Sequence, residues 1–169
     1  MKATDLQAAI GCGQIDKMPE FTKRRRQNYA RLLEGLQDCQ GQLILPEPCE
    51  NSSPSWFGFL LTCREGTERS QVVDYLENHG IQTRMLFAGN LLKHPCFNQM
   101  RASGEGYRVI GELIHTDRIM KDTFWVGVYP GMTEEMTDYM IKMIKEAVGK
   151  KNENRSDRGN GICGEMAGK

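Results

Sequence analysis

Apolar residues recur at helical spacing at both ends of the region from residue 4 to residue 148. Thr4 and Gln7 have the spacing of a capping box, which predicts a helix starting almost at the first residue. A second predicted helix begins near Pro19 and carries an apolar stripe as far as Leu36. Thr133 is expected to cap the last helix. The apolar positions of that helix are Met136, Tyr139, Met140, Met143, Ile144, Ala147 and Val148.

Short apolar and aromatic runs between these helices predict strands. The runs are 42–45, 56–62, 81–87 and 124–129. Thr67 is expected to cap a helix that Gly80 stops, and residues 107–119 are expected to contain another helix. His79, in the last turn before Gly80, is interpreted as a structural residue at the helix C-terminus. The pattern predicts two helices leading into a small sheet of three or four strands with helices on one face, an α+β-like fold.

Composition narrows the class of protein. The 169 residues suit one domain, and 22 Lys and Arg balance 22 Asp and Glu, which argues against an electrostatic nucleic-acid binder. No apolar run approaches the ~20 residues needed to cross a bilayer, and the N-terminus lacks a secretory pattern, so we expect no membrane partner and a cytoplasmic location. Residues 150–169 are polar, glycine-rich and aperiodic, which predicts a disordered tail after a domain at 1–149.

The reactive side chains form no recognisable metal or catalytic motif. The six cysteines, without C-x-x-C or zinc spacing, are interpreted as reduced thiols, several of them core residues, so no metal site is expected. The Gly11–Gly13 segment lies in a helical pattern and is not a dinucleotide fingerprint. Arg24–Arg26 is interpreted as a solvated basic face. A nucleophilic pair of Cys96 with His94 stays open, although nothing supplies an orienting third group.

Three segments resemble a known family. They are residues 2–11, with T-D-x-Q-A-A, residues 83–91, with L-F-A-G-N, and residues 116–131, with D-T-F-W-V-G-V-Y-P-G. Together they are similar to the C-terminal part of the DegT/DnrJ/EryC1/StrS group of fold-type I pyridoxal phosphate enzymes. The second and third segments resemble its CDP-4-keto-6-deoxyglucose 3-dehydrase branch. The resemblance covers about residues 1–149.

The resemblance implies a fold and an activity. It implies the small C-terminal domain of a fold-type I transferase, with linking helices at 4–36 and a mainly antiparallel sheet flanked by helices. It implies removal of the 3-hydroxyl of a CDP-4-keto-6-deoxyhexose in O-antigen dideoxysugar biosynthesis, with pyridoxamine or pyridoxal phosphate as cofactor. The 3-dehydrase branch also implies an iron–sulfur cluster, a homodimer and a separate iron–sulfur flavin reductase.

The same resemblance implies that the catalytic parts lie upstream of the T-D-x-Q-A-A segment. We therefore expect a truncated C-terminal part that contributes substrate contacts and dimer surface. On its own it is expected to have no catalytic residue, to bind no cofactor and to be inactive. Two alternatives remain, a fragment of a related sugar-nucleotide aminotransferase and a non-catalytic interaction module. The L-F-A-G-N segment argues against the aminotransferase.

Four residues are candidates for substrate contact under this resemblance. Arg84 could pair with phosphate or sugar oxygens through its forked donors, or form an exposed salt bridge. Phe87 could pack on the sugar or cofactor region, or be a core residue. Asn90 could hydrogen-bond the sugar, or satisfy a turn. His94 is the fourth and weakest candidate.

Overall fold

The computed structural model describes residues 2–149, which form six helices and one small sheet. The helices are α1 Asp5–Ile15, α2 Met18–Gly35, α3 Arg69–Asn78, α4 Asn98–Ser103, α5 Ile114–Asp122 and α6 Glu134–Gly149. Short 3-10 turns occupy Gln37–Cys39, Leu91–Lys93 and Pro95–Phe97. The strands are β1 Leu43–Ile44, β2 Gly58–Cys63, β3 Thr83–Met85 and β4 Thr123–Gly127.

The sheet has the strand order β1-β2-β4-β3, and all its pairings are antiparallel. The last strand in sequence, β4, is inserted between β2 and β3. Its residue Trp125 therefore has Leu60 on one side and Arg84 on the other. The predicted small, mainly antiparallel sheet flanked by helices is confirmed.

The main core lies on one face of this sheet. Along β2, residues at alternate positions are buried, because successive side chains of a strand point to opposite faces. Helices α2, α3 and α6 contribute the apolar residues that belong to the same core as the buried side chains of β2 and β4. The largest fully buried side chains are Phe59, Phe124, Leu32, Leu36, Leu43, Leu61, Leu76, Met132, Ile144, Val72, Val126 and Val128.

Several helix ends follow the sequence prediction. Thr4 and Gln7 make both hydrogen bonds of a capping box at the start of α1, with N–O distances of 3.0 and 3.3 Å. Thr133 Oγ1 accepts a hydrogen bond from the Met136 N–H at the start of α6. His79 follows α3 as its C-cap, where Nδ1 lies 2.7 Å from the Tyr75 carbonyl oxygen, and Gly80 then adopts φ 75°. The structural interpretation of His79 is confirmed.

Other boundaries differ from the prediction. Thr67 does not cap α3, because its N–H bonds back to Arg64 in a turn and Glu68 occupies the cap position. The helix predicted at 107–119 is α5, which begins only at Ile114, since Gly106 and Gly111 adopt positive φ angles that interrupt a helix. Every strand is shorter than the run that predicted it. Strands β1, β2, β3 and β4 have two, six, three and five residues, whereas the predicted runs had four, seven, seven and six. The predicted tail, 150–169, lies outside the described residues.

The basic run Arg24–Arg26 is not the solvated face that was predicted. Its guanidinium groups donate to the segment 53–55, with distances from 2.6 to 3.2 Å, and to the Met132 carbonyl at 3.5 Å. Segment 53–55 leads into β2 without strand partners for its backbone, so its carbonyls need other donors. The arginines meet that need and hold the segment to α2.

Helix α1 stands apart from this core. None of its residues is buried, and Leu6, Ile10 and Ile15 are between 60% and 74% exposed. An apolar helix without such cover is typical of a surface that another protein segment contacts. Within residues 2–149, no helix combines the length and the apolar character that a membrane span requires.

The described cysteines are free thiols in two environments. Cys39 and Cys63 are buried in the core, and this burial raises the pKa of each thiol to about 11. The interpretation of some cysteines as core residues is confirmed for these two. Cys12, Cys49 and Cys96 are exposed.

The contrast between the core and α1 gives a stability prediction. Leu61→Ala removes a fully buried side chain from β2 and should lower the free energy of unfolding by about 2–5 kcal/mol. Ile10→Ala is the control and should change it by less than about 0.5 kcal/mol, since Ile10 is exposed. Urea denaturation followed by circular dichroism measures both. Equal losses would contradict this placement of the core.

Candidate functional site

The second face of the sheet carries a small apolar cleft. The register places Leu60, Trp125 and Arg84 side by side across β2, β4 and β3, on the face opposite the main core. Gly58, two residues before Leu60, lies under the indole of Trp125, where a Cβ would be only 2.6 Å from Cε3. The missing side chain at Gly58 therefore lets the indole lie against the strand.

Aromatic side chains form most of the wall of this cleft. Phe57 meets Trp125 edge to face, with ring centroids 5.4 Å apart and an interplanar angle of 87°. The cleft has a free volume of about 110 Å³ and an almost wholly apolar surface. Its lining residues are Trp56, Phe57, Gly58, Leu60, Leu86, Phe87 and Trp125. Such a cleft accepts an apolar group or the flat face of a ring, because no charged side chain lines it.

Phe87 stands at this cleft in a strained conformation. Phe87 lies two residues after the end of β3 and is 78% exposed. Its backbone φ angle is 47°, in the left-handed region. A bulky residue there costs about 1–2 kcal/mol relative to ordinary backbone. Its N–H donates to the Met85 carbonyl at 2.7 Å, which closes a tight turn. The alternative that made Phe87 a core residue is wrong, since its ring is presented to solvent.

Arg84 is exposed on the same sheet face as Trp125. Its Nη1 donates to the Thr83 carbonyl at 2.9 Å, and it forms no ion pair with any residue from 2 to 149. The exposed salt bridge that was the alternative for Arg84 is therefore not formed. The side-chain oxygen of Gln82, in the amide orientation that satisfies both of its polar atoms, accepts from Nη1 at 3.2 Å and from Nη2 at 2.9 Å. An anionic or hydroxylated ligand would compete with Gln82 for these donors.

Asn90 is placed below the loop surface. It is 5% exposed, and its Nδ2 donates to Asp117 Oδ1 at 2.7 Å. Its Oδ1 accepts from the Leu92 N–H at 3.1 Å and so caps the short turn Leu91–Lys93. Asn90 is not among the residues that line the cleft. The Asn90 amide is therefore bonded on one side to α5 and on the other to the backbone of its own loop.

His94 braces the far end of the same loop. Its Nε2 is hydrogen-bonded to the Ala88 carbonyl, which ties the two ends of segment 88–94 together. Cys96 is exposed in the next turn, while Nε2 of His94 is already engaged with the backbone. This arrangement uses the imidazole as a structural brace.

A charged side chain lies at the base of the loop. Asp117 on α5 receives Lys93 Nζ at 2.8 Å on Oδ2, in addition to Asn90 on Oδ1. The hydrogen bond from Lys93, followed by that from Asn90, holds the pKa of the Asp117 carboxyl below its usual value. The carboxylate is therefore well suited to hold the loop.

Two of the four predicted site residues, Arg84 and Phe87, lie at this face of the sheet, while Asn90 and His94 support the loop between β3 and α4. The sequence reasoning missed Gly58 and Trp125. The signal that could have found them is a glycine on one strand facing an aromatic residue on the neighbouring strand. Recognising it requires the strand register, which the sequence does not give.

The chain belongs to the DegT/DnrJ/EryC1/StrS aminotransferase family, whose model matches residues 1–145. It is 46% identical over 151 residues to lipopolysaccharide biosynthesis protein RfbH of Salmonella typhimurium, covering 88% of this chain and 33% of that protein. It is 45% identical over 152 residues to dTDP-4-dehydro-2,6-dideoxy-D-glucose 3-dehydratase of Saccharopolyspora spinosa, covering 89% and 32%. The chain thus spans about a third of the length of these relatives.

Solved structures agree with this family. The fold matches E. coli GDP-4-keto-6-deoxy-D-mannose-3-dehydratase with bound hydrated PLP at a TM-score of 0.69 and 28% identity, covering 82% of this chain and 34% of that one. A GDP-4-keto-6-deoxymannose-3-dehydratase variant with bound GDP-perosamine matches at 0.71 and 28% identity, covering 82% and 35%. The expected small α/β domain of a pyridoxal phosphate enzyme fold is confirmed.

The cleft does not fit the cofactor of these relatives. Pyridoxal phosphate needs donors for its phosphate and an acidic partner for its ring nitrogen, whereas the lining of the cleft carries neither acid nor base. Within residues 2–149, no group of three or more His, Cys, Asp or Glu side chains is arranged to hold a metal ion. The cleft is suited to an apolar part of a ligand.

The contact between Gly58 and Trp125 gives a second prediction. Gly58→Ala should displace the Trp125 ring and shift its indole Nε1–H resonance, since the added Cβ would lie 2.6 Å from Cε3. Gly127→Ala is the matched control on the paired strand, because its Cβ would meet nothing within 4 Å. Heteronuclear NMR measures the shift. An unmoved Trp125 resonance in Gly58→Ala would contradict the described packing.

Proposed function

We propose that this chain forms the sugar-contacting part of the substrate site of a 3-dehydratase that acts on a CDP-linked 4-keto-6-deoxyhexose with pyridoxamine or pyridoxal phosphate. The single observation that carries the proposal is the exposed ring of Phe87, held at an aromatic cleft by a strained backbone conformation. The similarity at 45% to a protein named as a 3-dehydratase supports the reaction. The choice of CDP as the nucleotide rests on the resemblance of residues 86–90 and 122–131 to the CDP-4-keto-6-deoxyglucose 3-dehydrase branch.

The apolar lining supports a sugar whose position 6 is a methyl group. A deoxyhexose has C–H faces and a methyl group that pack well on aromatic rings, and the cleft offers the rings of Phe57, Phe87 and Trp125. A hydroxyl at that position would be desolvated there without a partner. We propose that Arg84, on the same sheet face, binds a phosphate or sugar oxygen. Asn90 and His94 contribute by supporting the loop.

The other components that the reaction requires are proposed to lie outside these residues. We propose that the two-thirds of the relatives' length not spanned here supply the cofactor pocket, the iron–sulfur cluster and the catalytic groups. The complete enzyme is proposed to be a homodimer served by an iron–sulfur flavin reductase. The chain alone is then inactive, and its contribution is binding.

A second candidate function is a non-catalytic interaction module. The observation that favours it is α1, whose apolar residues Leu6, Ile10 and Ile15 are uncovered by any residue of the described chain. Under this candidate α1 associates with another protein surface and the cleft binds no nucleotide sugar. The two candidates differ in whether a sugar nucleotide perturbs residues 84–90.

The substrate proposal predicts binding at Phe87. A titration with CDP-6-deoxyglucose should shift the backbone resonances of residues 84–90 and the Trp125 indole. Phe87→Ala should raise the Kd about tenfold, the equivalent of about 1.4 kcal/mol of lost ring packing. Ile110→Ala is the matched control, since Ile110 is 75% exposed but does not line the cleft. Parallel titrations with CDP alone and with free 6-deoxyglucose separate the contribution of the nucleotide from that of the sugar.

Shifts confined to α1, or equal weakening by Phe87→Ala and Ile110→Ala, would contradict a substrate role of the cleft. Binding of CDP alone with no change at Trp125 would place the nucleotide elsewhere and contradict the sugar contact.

The cofactor proposal predicts that the chain alone does not bind pyridoxal phosphate. Adding it at increasing concentration should produce no saturable change in visible absorbance, because the cleft lacks partners for phosphate and ring nitrogen. Free lysine at the same amine concentration is the control for nonspecific Schiff-base formation. Saturable binding of one pyridoxal phosphate per chain would show that the described residues do form a cofactor pocket.

A further inference from the structure

We propose that Asp117 is a positioning residue that anchors loop 86–94 to α5 and thereby sets the ring of Phe87 at the cleft. The carboxylate touches no residue of the cleft lining itself through a hydrogen bond, so its effect passes through Asn90 and Lys93. The inference rests on the proposed function only for the ligand, while the position of the loop can be measured without one.

The two oxygens of Asp117 hold two different points of the loop. Oδ1 accepts from the buried amide of Asn90 at 2.7 Å, and Oδ2 accepts from the Lys93 ammonium at 2.8 Å. Asn90 in turn caps the turn that carries Lys93, through its bond to the Leu92 N–H. A single carboxylate therefore fixes both ends of one 3-10 turn. Charged groups make the stronger class of hydrogen bond, which suits this anchoring role.

The next turn of α5 adds a packing contact with the same loop. Gly89 adopts φ 62°, and a Cβ there would be 2.6 Å from Cγ of Met120. The Asn90 N–H lies 3.4 Å from the Met120 sulfur. Asp117 and Met120 are three residues apart and so lie on one side of α5. The loop is thus seated on α5 by a polar contact and an adjacent close packing contact.

Helix α5 is itself fixed to the core. Arg69, the first residue of α3, donates from Nη1 to the Met120 carbonyl at 3.1 Å and approaches the Thr123 carbonyl at 3.4 Å. These carbonyls lie at the C-terminal end of α5 and the start of β4. The C-terminal end of α5 is thus bonded to the start of α3 and runs directly into β4, the strand whose Trp125 lines the cleft.

The strain at Phe87 explains why an anchor is needed. A phenylalanine with φ 47° persists only where surrounding contacts hold it, because extended or helical backbone has lower energy. Its exposed ring supplies little packing of its own. The contacts of Asn90, three residues further on, are the nearest polar anchors that join this loop to another helix. Loss of the anchor should release Phe87.

The experiment compares Asp117→Ala, Asp117→Asn and Asp122→Ala in the full chain. Asp122 is the matched control, since it is the other half-buried aspartate of α5. Asp117→Ala should speed amide hydrogen exchange at Leu92 at least tenfold and shift the Phe87 and Trp125 ring resonances. Asp117→Asn retains an oxygen for Asn90 but loses the charge, so it should give an intermediate effect and provides a second variant if Asp117→Ala does not fold.

A double-variant comparison separates positioning from general stability. If Asp117 acts through Phe87, Asp117→Ala should raise the Kd for CDP-6-deoxyglucose about as much as Phe87→Ala, and the double variant should be no weaker than Phe87→Ala alone. The urea midpoint should fall no further than in Asp122→Ala. Additive losses of affinity would overturn the inference.

The loop measurements stand independently of the ligand. Unchanged exchange at Leu92 and unchanged Phe87 resonances in Asp117→Ala would overturn the positioning role, whatever the ligand does. Faster exchange at Leu92 and shifted ring resonances in Asp117→Ala would support the anchor even if the wild-type chain binds no sugar nucleotide. That lack of binding would contradict the proposed function alone.

Discussion

The pairing of β4 between β2 and β3 is the constraint on which the rest of the structure depends. It pairs residues that lie between 39 (Met85 with Phe124) and 69 (Gly58 with Gly127) positions apart in the sequence, and it gives the sheet two different faces. On one face Phe124 and Val126 complete the main core with α2, α3 and α6. On the other face Trp125 lies between Leu60 and Arg84, which creates the cleft. Core and candidate site are thus the two sides of one strand.

The candidate site combines a rigid floor with a strained edge. The floor is sheet backbone and aromatic rings, fixed by strand pairing and by the close approach of Trp125 to Gly58. The edge is loop 86–94, in which Phe87 adopts an unfavourable backbone angle while Asn90 and Lys93 bond to Asp117. Polar contacts of this kind, here to the buried amide of Asn90 and the exposed ammonium of Lys93, hold a conformation that local preferences oppose. The arrangement presents an aromatic ring to solvent, as a binding surface requires.

The exposed apolar surfaces of α1 and the cleft are consistent with a chain that spans only part of its relatives' length. Helix α1 is apolar yet has no buried residue, while the neighbouring α2 is held to segment 53–55 and to α6 by arginine contacts. The chain spans about a third of RfbH of Salmonella typhimurium. A small domain that keeps its own core and leaves α1 and the cleft open is suited to act together with other protein surfaces.

The sequence by itself determined the helix starts at Thr4 and Thr133, the stop at Gly80 and the four apolar runs that overlap the strands, because caps, turns and periodicity act over a few residues. The resemblance carried by residues 2–11, 83–91 and 116–131 also gave the family. Only the tertiary structure decided the strand order, the exposure of Phe87 and the partners of Asn90 and Arg24–Arg26. These depend on contacts between segments distant in sequence, and local propensity contains no information about such pairings.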